Sequence, residues 1–136
     1  MKGKIFTIEE ARNTLPLVRQ ITGDIVSLES ERLQKAERYK GLYVKEQLSS
    51  AESEEMARLE ADISNIRSLM LTHIEELEEL GCFLKSSQEG LVDWYAEIEG
   101  RIVYLCWKLG EEDVFYYHDL ESGVAGRKKI PTGSPI

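Results

Sequence analysis

The apolar residues of this chain change their period near residue 81. Before it they recur every three to four positions, the spacing of one helical face; after it they fall in runs and alternations that suit strands. Thr7 and Glu10 stand at capping-box spacing, which predicts a helix start at Thr7. Pro16 removes a hydrogen-bond donor and crowds the turn before it, yet proline suits the first turn of a new helix. The pattern therefore predicts a short helix over 7–14 and a long one from Pro16 to about Leu48. On the long one Val18, Ile21, Ile25, Leu28, Ala36, Tyr39 and Tyr43 fall near one stripe. Gly23 and Gly41 weaken it by roughly 1 kcal/mol each relative to alanine. Ser49 and Ser50 mark a break.

A second helix over about 52–80 carries the cleanest period. Met56, Leu59, Ile63, Ile66, Met70, His73, Leu77 and Leu80 alternate spacings of three and four, a heptad seam. Its other faces carry Glu52, Glu54, Glu55, Glu60, Asp62, Glu75, Glu76, Glu78 and Glu79, read as a solvated acidic face. Gly81 is a natural stop. At about 1.5 Å per residue this helix spans on the order of 40 Å and needs a partner along its length. The first long helix, folded back, supplies one. Two helices bury little by themselves, so a homodimer completing a four-helix bundle is expected.

After Gly81, Leu91, Val92, Trp94, Tyr95 and Ile98 suit a strand, and Gly100 punctuates. Ile102 to Leu109 form a nearly continuous β-rich run, as in a central strand. Gly110 to Asp113 read as a hairpin turn, Val114 to His118 as the return strand, and Cys82 to Lys85 as a candidate edge strand. The tail from Arg127 holds two of the three prolines and is expected to be poorly ordered. The fold class expected is α+β: a long antiparallel helical hairpin with a C-terminal antiparallel meander of three to four strands. The helices resemble a ferritin-like half-bundle completed by dimerisation. A single domain over 1–136 is expected: helices over about 7–80, meander over about 82–120, loop and flexible tail over 121–136.

Composition sharpens this picture. With 136 residues, 42% hydrophobic and 31% charged, the chain has a globular profile. Its formal charge of −8 argues against nonspecific binding to nucleic acid or anionic membrane, both of which favour positive surfaces. No apolar run reaches membrane-spanning length, and the N-terminus turns acidic before a signal-like core forms, so a cytoplasmic location is expected. The two cysteines, Cys82 and Cys106, lack CxxC spacing and are expected as reduced thiols.

Candidate chemistry gathers in residues 90–127, which hold both tryptophans. His118 closes the last expected strand beside Asp119, with Glu121 nearby, and Asp93 sits among apolar strand residues. A carboxylate near His118 would orient its ring for proton transfer or metal ligation; a histidine satisfied by hydrogen bonds at the sheet end is the bland alternative. Asp93 plays this part only if the strands align it. His73, on the helical seam, reads as a register-setting polar residue. Neither histidine has Glu three positions before it, which argues against the Glu-x-x-His di-metal chemistry of carboxylate bundles. Cys106 reads as a small buried hydrophobe unless a base or cation stands near it. The tryptophans and tyrosines read as packing, with Trp107 a candidate pocket wall. Gly123 and Gly126 with Arg127 form a glycine-spaced loop ending in a cation, a candidate anion contact with Arg101 as a second; a tight turn with a surface arginine explains it equally.

The segments GLVDW, GRIVYLCWKLGE and HDLESGVAGR resemble the C-terminal signature of the bacterial family catalogued as domain of unknown function 2203, and FTIEEARNTLP resembles its start. The resemblance covers nearly the whole chain and implies a small bacterial cytosolic protein with a helical N-terminal part and no established activity. It points to Gly90, Asp93, Gly100, Arg101, Cys106, Trp107, Gly110, Glu111, His118, Gly123, Gly126 and Arg127 as motif positions. Trp94-Tyr95 stands where the family pattern has Phe-Pro, and Tyr117 where it has Trp; the missing proline bears on the strand after Asp93.

Two functions follow for test. The first is a non-enzymatic binding or assembly module that dimerises through its helices and presents residues 90–127 to a protein partner or a small anionic ligand. The second is a small enzyme or metal-binding protein. There Arg127 holds an anionic group, His118 moves a proton or binds metal, and Asp93 or Glu111 orients it. Candidate catalytic groups are thus His118, Asp93, Glu111 and Cys106. Candidate metal ligands are His118, Asp93 and Glu111. Candidate ligand contacts are Arg101, Arg127, Gly123, Gly126 and Trp107. No cofactor or substrate follows from these residues alone.

Overall fold

Thr7 caps the first helix as its spacing predicts. Its hydroxyl accepts from the Glu10 N–H at 3.0 Å, and the Glu10 carboxylate accepts from the Thr7 N–H at 2.9 Å. The computed structural model describes residues 4–131. In it helix α1 runs unbroken over Ile8–Tyr43, so the break expected at Pro16 is absent and the end near Leu48 comes earlier. Continuity across Pro16 has a packing cause. Leu15 before it and Val18, Ile21 and Ile25 after it are buried on one stripe. Burying each such side chain contributes roughly 1.5–3 kcal/mol, which together exceeds the cost of about 3 kcal/mol for one internal proline.

Helix α2 spans Ser50–Leu80 and begins earlier than expected because Ser49 and Glu52 form a second capping box. Gly81 ends it in a left-handed cap. On its seam Leu59, Ile66, Met70 and Leu77 are buried, and Met56, Ile63, His73 and Leu80 half-buried. His73 does not reach across the seam: its Nδ1 lies 2.8 Å from Oε1 of Glu76, one turn along the same helix. The acidic face is largely solvated, as expected, with Glu54, Glu75, Glu78 and Glu79 exposed, but its N-terminal half pairs with α1 and the loop before α2. Arg38 forks onto Glu55 at 2.7 and 2.8 Å, Lys35 pairs with Asp62 at 3.0 Å, Tyr39 donates to Glu60 at 2.6 Å, and Lys45 pairs with Glu52. Exposed pairs of this kind align two helices more than they stabilise them.

Five strands follow in an antiparallel meander, β1 (Cys82–Ser86), β2 (Leu91–Ile98), β3 (Arg101–Lys108), β4 (Tyr116–His118) and β5 (Lys128–Lys129), paired in chain order. A two-residue turn, Glu99-Gly100, joins β2 to β3. Both residues have positive φ, 52° and 78°, the twist that two-residue hairpins require. At Gly90, before β2, a Cβ would fall 2.8 Å from Cβ of Leu109 and 3.1 Å from Val26 on α1, so this turn packs against the helix as only glycine allows. β2 runs through Tyr95 to Ile98 without the proline of the family pattern, and the Tyr95 carbonyl accepts from the Phe6 N–H at 2.7 Å.

Three expectations for the C-terminal part need correction. The return strand is shorter than Val114–His118, and 110–113 is no tight hairpin. The carbonyls that a hairpin would spend on β3 go to side chains instead: Arg12 takes Val114 at 2.8 Å, Arg19 takes Glu112 at 2.8 Å, and Trp107 Nε1 takes Glu111 at 2.9 Å. The tail is also ordered beyond Arg127. Lys128 and Lys129 pair with Tyr117 and Tyr116 on the open edge of β4, and the Ile130 N–H donates to the Phe115 carbonyl at 2.8 Å. The rest of the expected flexible tail, 132–136, lies outside the described residues.

The helices cover one face of the sheet. Val92, Trp94, Ala96, Ile98, Val103, Leu105 and Trp107 pack there against Phe6, Ile8, Leu15, Ile25, Ile66 and Leu77. Trp94 donates through Nε1 to the Thr14 hydroxyl at 3.1 Å. Glu29, buried on α1, accepts from Ser87 at 2.7 Å and so ties the β1–β2 turn to the helix. Its carboxyl is held below the ordinary glutamate value by the Arg32 hydrogen bond, with burial opposing and Ser87 assisting. A lowered folded-state pKa gives stability that is full above the unfolded value and is lost as pH falls through the folded one. Glu29→Gln is therefore expected to unfold at lower urea than the parent at about pH 7, with the gap closing on acidification to about pH 3. A gap that stays constant with pH would assign the effect to lost packing.

Candidate metal centre

Strand residues alternate faces, so with Val92 and Trp94 turned to the helices, Asp93 and Tyr95 point to the other side of the sheet. There the register sets Asp93 against Cys106 and Tyr95 against Tyr104, and Tyr104 against His118 on β4. His118 reaches diagonally over β3 to Asp93, with Nε2 2.9 Å from Oδ2. One donor atom each from Asp93, Cys106 and His118 lies within 4.8 Å of the others. Their exposures are 0%, 0% and 2%.

The protons of this trio are constrained. His118 Nδ1 lies 3.0 Å from the Asp119 carbonyl, which only accepts, so Nδ1 carries a hydrogen. Nε2 and the facing Asp93 oxygen then share one proton between them. The second oxygen, Oδ1, has no hydrogen-bond partner among the described residues although it is buried. Burial pushes the Asp93 carboxyl up, offset in part by His118, Cys106 and Lys85. Burial, reinforced by the Asp93 charge, pushes the Cys106 thiol up to about 12, while Arg127 opposes that rise.

Aromatic rings and a strap of chain close the site. The Tyr104 ring packs 5.2 Å from the His118 ring and 5.0 Å from Tyr95, and the Lys85 amine sits 4.7 Å over Tyr104. The Tyr95 hydroxyl beside it, with burial, pushes the Tyr104 phenol up to about 12. The strap is the segment 119–130. Arg127 forks onto Glu111 at 2.7 and 3.0 Å, donates to the Cys106 carbonyl at 3.3 Å, and lies 4.2 Å from the Tyr116 ring centre. Glu111 also accepts from the Lys108 N–H at 2.8 Å.

The candidate residues thus fall into groups. Asp93, Cys106 and His118 converge. Glu111 and Arg127 hold each other alongside, joined to the trio through the Cys106 backbone. Arg101 is exposed, with Nη2 3.7 Å from Asp119 Oδ1. Gly123 and Gly126 shape the strap, where a Cβ on Gly126 would meet Ser122 Oγ at 2.6 Å. Trp107 lies on the opposite, helix-facing side and lines no part of this site. Both cysteines are free thiols, and Cys82 is buried against the Leu77 carbonyl. Tyr104, Lys85 and the Asp119 carbonyl are site parts that periodicity does not single out. The Asp93–Cys106 pair, by contrast, follows from counting outward on both sides of the Glu99-Gly100 turn.

Fold and site define an α+β protein in which a helical hairpin backs a five-stranded antiparallel meander bearing a buried carboxylate–thiol–imidazole trio. The chain belongs to the family described as "Uncharacterized conserved protein (DUF2203)", whose profile matches residues 4–130. No curated protein and no solved structure matches it. No helix of the described residues is long and apolar enough to cross a membrane.

Proposed function

We propose that this is a non-enzymatic metal-binding protein of the cytoplasm, whose Asp93, Cys106 and His118 take a borderline-soft divalent ion of the Zn²⁺ class. The observation that carries the reading is the convergence of these three donors within 4.8 Å on one sheet face. Sulfur, nitrogen and oxygen in one set suit zinc; magnesium and calcium prefer oxygen alone. Charge balance agrees. A divalent ion with one thiolate and one carboxylate is neutral, and Arg127 with Glu111 adds no net charge beside it. The Asp119 carbonyl on Nδ1 is the outer contact that metal-binding histidines use to fix their tautomer. The ion would replace the proton that Asp93 and His118 share and the thiol proton of Cys106. Binding therefore tightens as pH rises.

The burial of all three donors favours binding over catalysis, although three protein donors leave a zinc ion's fourth position to a water or another group. The enzyme reading needs Arg127 to meet an anionic substrate, but Glu111 occupies its fork. Elemental analysis of tag-free protein purified without chelator tests the proposal, followed by stripping and titration with Zn²⁺ and Co²⁺. One ion per chain is expected in the parent, and none in His118→Ala or Cys106→Ser. Folded parent protein that takes up neither ion would overturn it and leave the trio as a buried packing contact.

A further inference from the structure

Beyond the sheet, α1 and α2 form a groove lined by Ala36, Tyr39, Glu60, Ile63, Ser64 and Arg67, with a cavity of about 290 Å³. We infer that a second copy of this chain docks here, its α2 antiparallel to the first across a two-fold axis that passes between Ile63 and Ser64. The pattern of the groove is self-complementary. Such an axis sets Glu60 of each copy opposite Arg67 of the other, and Leu71 opposite Met56.

Each of these positions has something unspent. Arg67 is exposed and makes no salt bridge among the described residues, on a helix whose outward charges are mostly acidic. Glu60 is exposed, and among the described residues its carboxylate takes only the Tyr39 hydroxyl, on Oε1. Leu71 lies one turn beyond Arg67 on the same stripe and is 57% exposed; Met56 is half-buried at the other end. Residues 56 to 71 cover about 22 Å of helix at 1.5 Å per residue. Packing two such faces completes a four-helix bundle in which apolar ends flank two opposite-charge pairs. The dimer does not depend on the metal, because the groove and the sheet-face trio share no residue.

Sedimentation velocity on the full chain, from micromolar to submillimolar concentration, tests this. The parent is expected to sediment as a reversible dimer. Arg67→Glu and Glu60→Arg each turn two attractive pairs into two repulsive ones and should weaken dimerisation about tenfold or more. The double variant Glu60→Arg/Arg67→Glu restores opposite charges across the axis and should regain parental affinity. Both positions are exposed on a helix, and circular dichroism checks that each variant stays folded. Ser64→Cys, near the axis, should cross-link oxidatively, against a background of two buried native thiols. A parent that is monomeric throughout, or a double variant no better than the single reversals, overturns the interface.

Discussion

His118→Ala is expected to cost about 3–5 kcal/mol of stability near neutral pH, the range for removing one partner of a buried ionic pair. The cost arises at Asp93. Among the described residues one of its oxygens already lacks a partner, the other would lose its His118 contact, and the side chain is fully buried. Urea unfolding with an unchanged slope would read the loss as a shifted midpoint. The pH dependence has a definite sign. Burial raises the Asp93 pKa in the folded state, so the folded state binds that proton first and the deficit of the variant shrinks as pH falls. Replacing both partners by apolar residues, Asp93→Leu with His118→Leu, should recover most of the loss, because no charge is then left buried. Under the proposed metal reading, chelation separates two roles of the trio. Chelator should lower the midpoint of the parent and leave the double variant unmoved.

Arg127→Ala is expected to be the next most costly change, at about 2–3 kcal/mol, since it removes a two-pronged bond to a carboxylate and the clip on the Cys106 carbonyl. Both partners are only about one-fifth exposed, at 19% and 22%, so solvent screens them weakly. Arg127→Lys should not restore the loss, because an ammonium cannot match the fork. Hydrogen exchange should speed up over 116–130 and stay slow in α1 and α2. Metal affinity should fall by about tenfold, the usual cost of loosening outer contacts, because the strap includes the Asp119 carbonyl that fixes His118. Unchanged exchange in 116–130 would show that β5 pairing alone holds the strap.

Much of this protein's architecture is written in its local sequence. The Thr7–Glu10 box, the Gly81 stop and the seam from Met56 to Leu80 depend on residues a few positions apart, where covalent geometry and helical period leave little freedom. The α+β class follows from the change of period near residue 81. One contact lies at the limit of such reading: Gly100 marks a break between two strands, but only the structure shows that the turn is Glu99-Gly100, from which counting outward sets Asp93 opposite Cys106.

The rest depends on groups far apart in the chain. Pro16 reads locally as a break; only the burial of residues on both sides of it lets α1 continue. Lys128 and Lys129 carry no strand pattern and become β5 because β4 offers a free edge. The connection from Lys108 to Tyr116 has no period, since its carbonyls are taken by Arg12, Arg19 and Trp107. With that path unknown, nothing local places His118 opposite Tyr104 or Arg127 upon Glu111. Local sequence determines which elements form and which faces they bury. Tertiary packing alone decides which titratable side chains those faces bring together, because loop paths are set by distant side chains that capture backbone groups.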